Sequence, residues 1–286
     1  MDLAVTTLLN ALTLISILAL VGLGLTISFG LMNVTNLAHG EFVTVGAFTV
    51  YFVQSHGGSF WLGLVAAPVV GAAVGLLLEG IILRRLYERP VGAILATWGV
   101  SLILQQGIEL TFGLGAKPVV PPLDGVIDLG VSAYPVYRLI LIAIALLTLA
   151  GVVLLVARTR FGLDIRTVIQ NRDMAEAVGI NTRRTYAVAF GFGAVVAGLA
   201  GALISPLATV LPQMGVNYLA NAFFVVIVGG AGSVFGLIAG STFVGGLTSI
   251  LNYQISPSLA QALVLLSAIV IVRFRPHGLV SIGGRA

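Results

Sequence analysis

Residues 185–272 run for 88 positions without one Lys, Arg, Asp or Glu. A membrane-crossing helix needs about 20 consecutive apolar residues, so this stretch alone accommodates about three crossings or deep re-entrant pieces. Residues 3–40 and 42–78 lack the same four residue types. Charged residues make up 8% of the chain, where a soluble domain carries about 25%, and that scarcity excludes soluble enzymes and nucleic-acid-binding modules. Transmembrane strands would read as alternating segments of about 10 residues, whereas these apolar runs are continuous. The class is therefore all-α: a polytopic membrane protein of about eight transmembrane helices plus broken or re-entrant segments. Its 36 glycines suit that class, because small residues let helices approach where lipid gives no hydrophobic force between them.

The few charges orient the chain. Twelve of the 14 basic residues fall in three clusters: Arg84, Arg85 and Arg89; Arg158, Arg160, Arg166, Arg172, Arg183 and Arg184; and Arg273, Arg275 and Arg285. Short basic loops stay in the cytoplasm, which places all three clusters inside. Lys117 and Arg138 bracket a polar, Pro-containing stretch, and 112–137 reads as an external loop. The net charge of +4 thus reports orientation rather than nucleic-acid binding. Cysteine is absent, so no disulfide, zinc or thiol chemistry is expected. The first apolar run lacks a basic flank and an obvious cleavage site, and reads as a retained span.

Apolar runs place spans at about 8–29, 60–83, 91–110, 139–157, 185–207 and 258–272. A broken stretch at 30–41 precedes an apolar run to about residue 53, and a later run is interrupted at 229–233. An odd number of crossings must separate the external loop near Pro212 from Arg273, so residues 218–228 are either a short descending piece or partly re-entrant. One interruption in each half is the pattern of an inverted-repeat transporter with its path at the repeat interface, although these two stand at unmatched offsets.

Three features carry candidate chemistry. The first is the break containing Asn33, Asn36, His39 and Glu41. A carboxylate at mid-bilayer costs about 2.5–3.5 kcal/mol on insertion scales, so Glu41 must face protein or water, or be neutralised. Two readings stand. In one, a discontinuous segment lines a translocation path with its polar groups. In the other, a cytoplasmic-side turn lets Asn33 or Asn36 cap the next helix, with Glu41 favoured near its N-terminus by the dipole.

The second feature is the cytoplasmic segment 158–184. Asn171 caps a short helix there, Asp173 lies in its first turn, Gly179 stops it, and Met174 and Val178 share a face. That apolar face either docks in a groove on a soluble partner or lies as an interfacial helix. The third feature is Thr97, Ser101 and Gln105, which recur every four residues along one span. Such a neutral stripe suits a small uncharged solute, or bonds a neighbouring helix. Residues 229–232 lack the Lys and Ser/Thr of a phosphate-binding loop. No His/Glu or Ser/His/Asp spacing marks a metal site or an intramembrane enzyme.

With these motifs the chain resembles the permease subunits of ABC importers of the branched-chain amino acid family. The matching blocks are Gly30-Leu-Met-Asn-Val-Thr-Asn-Leu-Ala-His-Gly-Glu-Phe42, Gln170-Asn-Arg-Asp-Met-Ala-Glu-Ala-Val-Gly-Ile180, Val228-Gly-Gly-Ala-Gly-Ser233 and Arg275-Pro-His-Gly-Leu279, and the likeness covers nearly the whole chain. Within that family, Tyr87-Glu-Arg-Pro90 and Leu95-Ala-Thr-Trp-Gly-Val-Ser-Leu-Ile-Leu-Gln-Gln106 look most like the urea or short-chain amide branch.

The resemblance implies a single transmembrane permease domain over 1–286, multi-pass in the bacterial cytoplasmic (inner) membrane. Its implied partners are a second homologous permease subunit, two cytoplasmic ATPase subunits and an external solute-binding protein, with membrane lipid around it and no nucleic acid. The chain itself would be no enzyme and bind no cofactor, ATP and Mg residing on the ATPase subunits. Asn171, Arg172, Met174, Ala175, Val178 and Gly179 would form the helix that couples to an ATPase. The translocation path, working by alternating access, is expected at Asn33, Asn36, His39, Glu41, Thr97, Ser101 and Gln105. Urea or a short-chain amide is the expected substrate, with a branched-chain amino acid as the alternative. A stand-alone urea-type channel or carrier is a further reading, but it would need no partner-docking helix.

Overall fold

The computed structural model describes residues 2–32, 35–87, 89–128, 133–275 and 278–280. Its helices are α1 (Asp2–Met32), α2 (His39–Ser55), α3 (Phe60–Ile81), α4 (Pro90–Phe112), α5 (Val136–Arg158), α6 (Arg160–Gln170), α7 (Arg172–Ala177), α8 (Thr182–Ile204), α9 (Met214–Gly229), α10 (Val234–Gln254) and α11 (Pro257–Phe274). Seven of them, α1, α3, α4, α5, α8, α10 and α11, are long and apolar enough to cross a membrane. α2 and α9 are shorter, at 17 and 16 residues. Six of the seven spans start and stop within a few residues of the apolar runs read from the sequence, and arginines mark where several of them meet water.

α1–α4 and α8–α11 form two matching sets. Their lengths run 31, 17, 22 and 23 residues in the first and 23, 16, 21 and 18 in the second. Local signals match too. Ser59 Oγ accepts from Leu62 N at 3.3 Å to start α3, and Ser233 Oγ accepts from Gly236 N at 3.0 Å to start α10. Pro90 and Pro257 open α4 and α11, where a missing N–H costs nothing. Packing is reciprocal: α1 lies against α10 as α8 lies against α3. The sets meet at several glycine pairs, of which two lie at the start of α2 and beside it. A Cβ on Gly24 would stand 2.4 Å from the Gly193 carbonyl oxygen, and one on Gly40 would stand 2.5 Å from that of Gly215.

The sets run in opposite senses. At one end, Lys117 N donates to Val210 O at 3.0 Å, Arg138 Nη1 donates to Asn10 Oδ1 at 2.5 Å, and Tyr134 and Thr13 share a hydrogen bond of 2.6 Å. That end therefore gathers the beginning of α1, the loop after α4 with its short hairpin (Val126–Asp128 paired with Ala133–Pro135), and the loop after α8. The other end carries the remaining described arginines, Arg285 lying outside the described residues. There Leu279 N and Val280 N donate to Val228 O and Gly229 O at 2.8 and 3.0 Å.

These contacts decide between the two readings of 218–228: α9 descends from the outer loop to the arginine-rich end, and α10 and α11 then cross fully. They also correct the pairing of interruptions. The counterpart of 30–41 is the loop at 205–213, which leads into α9, whereas 229–233 is the turn into α10 and corresponds to the turn before α3. α1, α2 and α8 form the core, and residues 39–48 of α2 are buried without exception. α3, α4, α5 and α11 are peripheral and expose apolar side chains such as Val65, Ile103, Leu147 and Leu266.

Candidate functional site

After α1 the chain does not stay at the arginine-rich end. Residues 35–38 turn back along α1 without helical structure, and α2 begins beside the middle of its neighbours. Leu37 N donates to Thr97 Oγ1 at 3.1 Å, and His39 Nε2 donates to the carbonyl of Val21, mid-way along α1, at 3.1 Å. Glu41 Oε1 accepts from Ser101 Oγ at 2.8 Å and from Gln105 Nε2 at 2.7 Å, both near the centre of α4. Non-helical backbone at such depth persists only when protein or water satisfies it, and here Thr97 and Asn36 do so.

The turn expected at this break is present: Asn36 Oδ1 accepts from Ala38 N at 3.0 Å and Glu41 sits in the first turn of α2, but no side chain caps that helix. The cytoplasmic-side placement is corrected, because the turn lies at the level of Val21 and Ser101. Asn33 lies outside the described residues. His39 and Glu41 are each 1% exposed and Asn36 4%. Within that burial, Glu41 Oε2 and Asn36 Nδ2 have no hydrogen-bond partner among the described residues. Such a group costs about 1–3 kcal/mol when left unmade, a cost a purely structural turn does not explain.

The stripe of Thr97, Ser101 and Gln105 is real but does not face an open channel. Thr97 holds the backbone of Leu37, and Ser101 and Gln105 clamp Glu41. Because α4 packs mainly on α2 and the turn Leu83–Arg85, this clamp is a principal tie between α4 and the bundle.

At the arginine-rich end, Asn171 Oδ1 caps α7 by accepting from Met174 N at 3.0 Å, and Gly179 ends it at φ +88°. Met174 and Val178 are 60% and 66% exposed. Ala175 is fully buried in the cluster of Ile165, Val168 and Tyr186, so its grouping with the exposed face is corrected: it seats the helix. A helix of 6 residues has too few turns for sequence periodicity to show which side faces in.

Arg172 and Glu176 pair at 3.3 Å, and Thr182 Oγ1 donates to Glu176 Oε1 at 2.6 Å. The Thr182 hydrogen bond, followed by that of Arg172, holds the Glu176 carboxyl below the usual carboxylate range. The Arg172 guanidinium lies 5.8 Å over the Tyr186 ring, which lies 4.8 Å from the ring of Tyr87. Tyr87 donates to Glu79, and burial, with that hydrogen bond second, pushes its phenol above the ordinary range. Sequence reading missed the Glu79–Tyr87–Tyr186 chain because its members stand on separate elements. The one signal in the sequence is Glu79 itself, a carboxylate near the end of an apolar run and one turn from Arg84. Among the described residues, no three of His, Asp or Glu come together as metal ligands.

The family profile described as branched-chain amino acid transport system / permease component matches residues 7–272. The chain is similar to the high-affinity branched-chain amino acid transport system permease protein LivH of Escherichia coli K12, 26% identical over 94% of this chain and 93% of that protein. It is similar to BraD of Pseudomonas aeruginosa, a permease protein of the same description, at 25% identity over 83% of both chains. It also resembles LivM of Escherichia coli K12, 27% identical over 79% of this chain and 59% of that protein. No solved structure matches the chain.

Proposed function

The chain belongs to the branched-chain amino acid transport permease family, and on that premise we propose that it is the membrane-spanning subunit of an ATP-driven importer of branched-chain amino acids. Its seven apolar spans and its permease relatives make it a multi-pass protein of the bacterial inner membrane. The observation that carries the substrate is the similarity to LivH along nearly the full length of both chains. That similarity favours an amino acid over the urea or amide first expected. The neutral stripe that favoured urea is engaged in holding α2.

In this reading Glu41, with Asn36 and His39 beside it, forms the polar part of the path at the repeat interface, where inverted-repeat transporters place their sites. Ser101, Gln105 and Thr97 position that segment. α7 offers Met174, Val178 and the flanking Arg172 to an ATPase subunit, with Asn171 and Gly179 fixing its ends. ATP and Mg are held by the two ATPase partners, an external binding protein delivers the solute, and the similarity to both LivH and LivM supports pairing with a second permease subunit. Alternating access follows when the ATPases move α7.

The test is reconstitution in proteoliposomes with the second permease, ATPase and binding-protein subunits of the same transport system. ATP-dependent uptake of L-leucine is the expected result. Uptake of urea in its place would overturn the substrate, and uptake without ATP would overturn the importer. Met174→Asp with Val178→Asp should release the ATPase subunits on purification. Retained association would remove α7 from the interface.

A further inference from the structure

We propose that a cavity at the outer end of the bundle binds the carboxylate of an aliphatic amino acid, with Arg138 as its anchoring cation. The cavity measures about 490 Å³ and lies between the outer half of α1, the start of α5, the loop after α8, and the outer ends of α9 and α10. The inference rests on the import reading above and deepens it.

Among the described residues, Arg138 is the only charged one lining the cavity. Its Nη1 donates to Asn10 Oδ1 at 2.5 Å, and its guanidinium stands 5.7 Å over the Tyr134 ring. Among the described residues no carboxylate lies against it. A guanidinium carries five N–H donors in a planar fork, and these contacts leave the geometry that carboxylates match bidentately unfilled.

The other walls suit the rest of such a ligand. Asn10, Ser249 and Asn252 offer amide and hydroxyl oxygens for an ammonium group, and Leu14, Ile17 and Leu207 form an apolar wall for a branched side chain. Urea or a neutral amide has no charge for Arg138 to hold.

The chain has no cysteine, so Ala208→Cys places a single reporter thiol on the cavity wall. In the assembled transporter, the rate at which an impermeant thiol reagent labels this cysteine from outside is measured with L-leucine, with leucinol and with urea. Leucinol keeps the side chain and amine but lacks the carboxylate. L-leucine should slow labelling, and leucinol and urea should not. Arg138→Gln on the same background should raise the half-protecting leucine concentration roughly tenfold or more, the worth of a charge-assisted contact, and Arg138→Lys should raise it less.

Equal protection by leucinol, or protection unchanged in Arg138→Gln, overturns the site. The comparison of leucine with leucinol decides the question even where Arg138→Gln fails to assemble. Leucine uptake by the parent complex without protection overturns the site alone, whereas a parent complex that takes up no leucine overturns the import reading.

Discussion

α2 and α9 hold equivalent places in the two inverted helix sets, yet the chain enters them through opposite chemistry. The entrance to α9 is apolar: Met214 is buried, Gly215 N donates to Thr44 Oγ1 at 3.1 Å, and the preceding Gln213 makes no side-chain cap. The entrance to α2 carries Asn36, His39 and Glu41, all buried, with a carboxylate oxygen and an amide nitrogen that find no partner among the described residues. Both helices form and pack at the same glycine crossing. The architecture therefore needs a break and a glycine at this place, but it does not need an acid. What α9 does without is what the proposed path places in transport.

The largest effect should come from Glu41→Gln. This change weakens the bonds from Ser101 and Gln105 and takes the acid out of the proposed path, so uptake should fall roughly 100-fold, well beyond the accompanying loss of thermal stability. Normal uptake with a lowered melting temperature would make the α2 entrance a mere turn and erase the contrast with α9. Next come the shared glycines. A Cβ on Gly215 would stand 2.0 Å from the Gly40 carbonyl oxygen, so Gly40→Ala and Gly215→Ala should each cost about 1–3 kcal/mol of stability by overpacking. Thermal unfolding in detergent measures this, and a loss confined to one of them would break the equivalence of the two sets.

A smaller effect is expected of Thr97→Val with Gln105→Leu. These remove ties between α4 and α2 at about 0.6 kcal/mol for a typical interhelical bond, so uptake should drop several-fold as Glu41 loses its clamp, still less than in Glu41→Gln. Wild-type uptake would show that α4 takes no part in positioning Glu41.

The smallest effect lies far from both entrances. Because the folded carboxyl of Glu176 is held low, its contribution to seating α7 is complete above the ordinary carboxylate range and is lost as pH falls through its lowered value. The protection of the α7 amides, taken relative to their intrinsic exchange at each pH, should stay flat from neutral to mildly acidic pH and fall below that. Glu176→Gln should lower the protection at neutral pH and remove its fall at acidic pH.

The spans were legible in the sequence because charge is excluded from them, and α7 was legible because Asn171 and Gly179 are local signals. The equivalence of α2 and α9 was not, because one entrance reads as a polar motif and the other as a loop between Pro206 and Pro212. Only contacts across the chain, Gly40 on Gly215 and Lys117 on Val210, identify them. Depth was equally hidden: nothing in residues 35–38 says that they fold back beside Val21. The role of Thr97, Ser101 and Gln105 as a clamp followed from that depth and could not be read before it. Arg138 was read only as a marker of the outer face, since the cavity it lines is assembled from four helices and a loop.

The two glycine crossings have a mechanical consequence. Where Gly24 meets Gly193 and Gly40 meets Gly215, main chain rests directly on main chain with no side chain between them. Ordinary interior contacts interdigitate like gear teeth, and turning one body against another means resetting rotamers. A contact between two bare backbones has no teeth, so it can serve as a pivot bearing about which each set of helices tips as a rigid lever. Glu41, one residue beyond such a bearing, sits near the fulcrum, where a lever moves least as its ends swing.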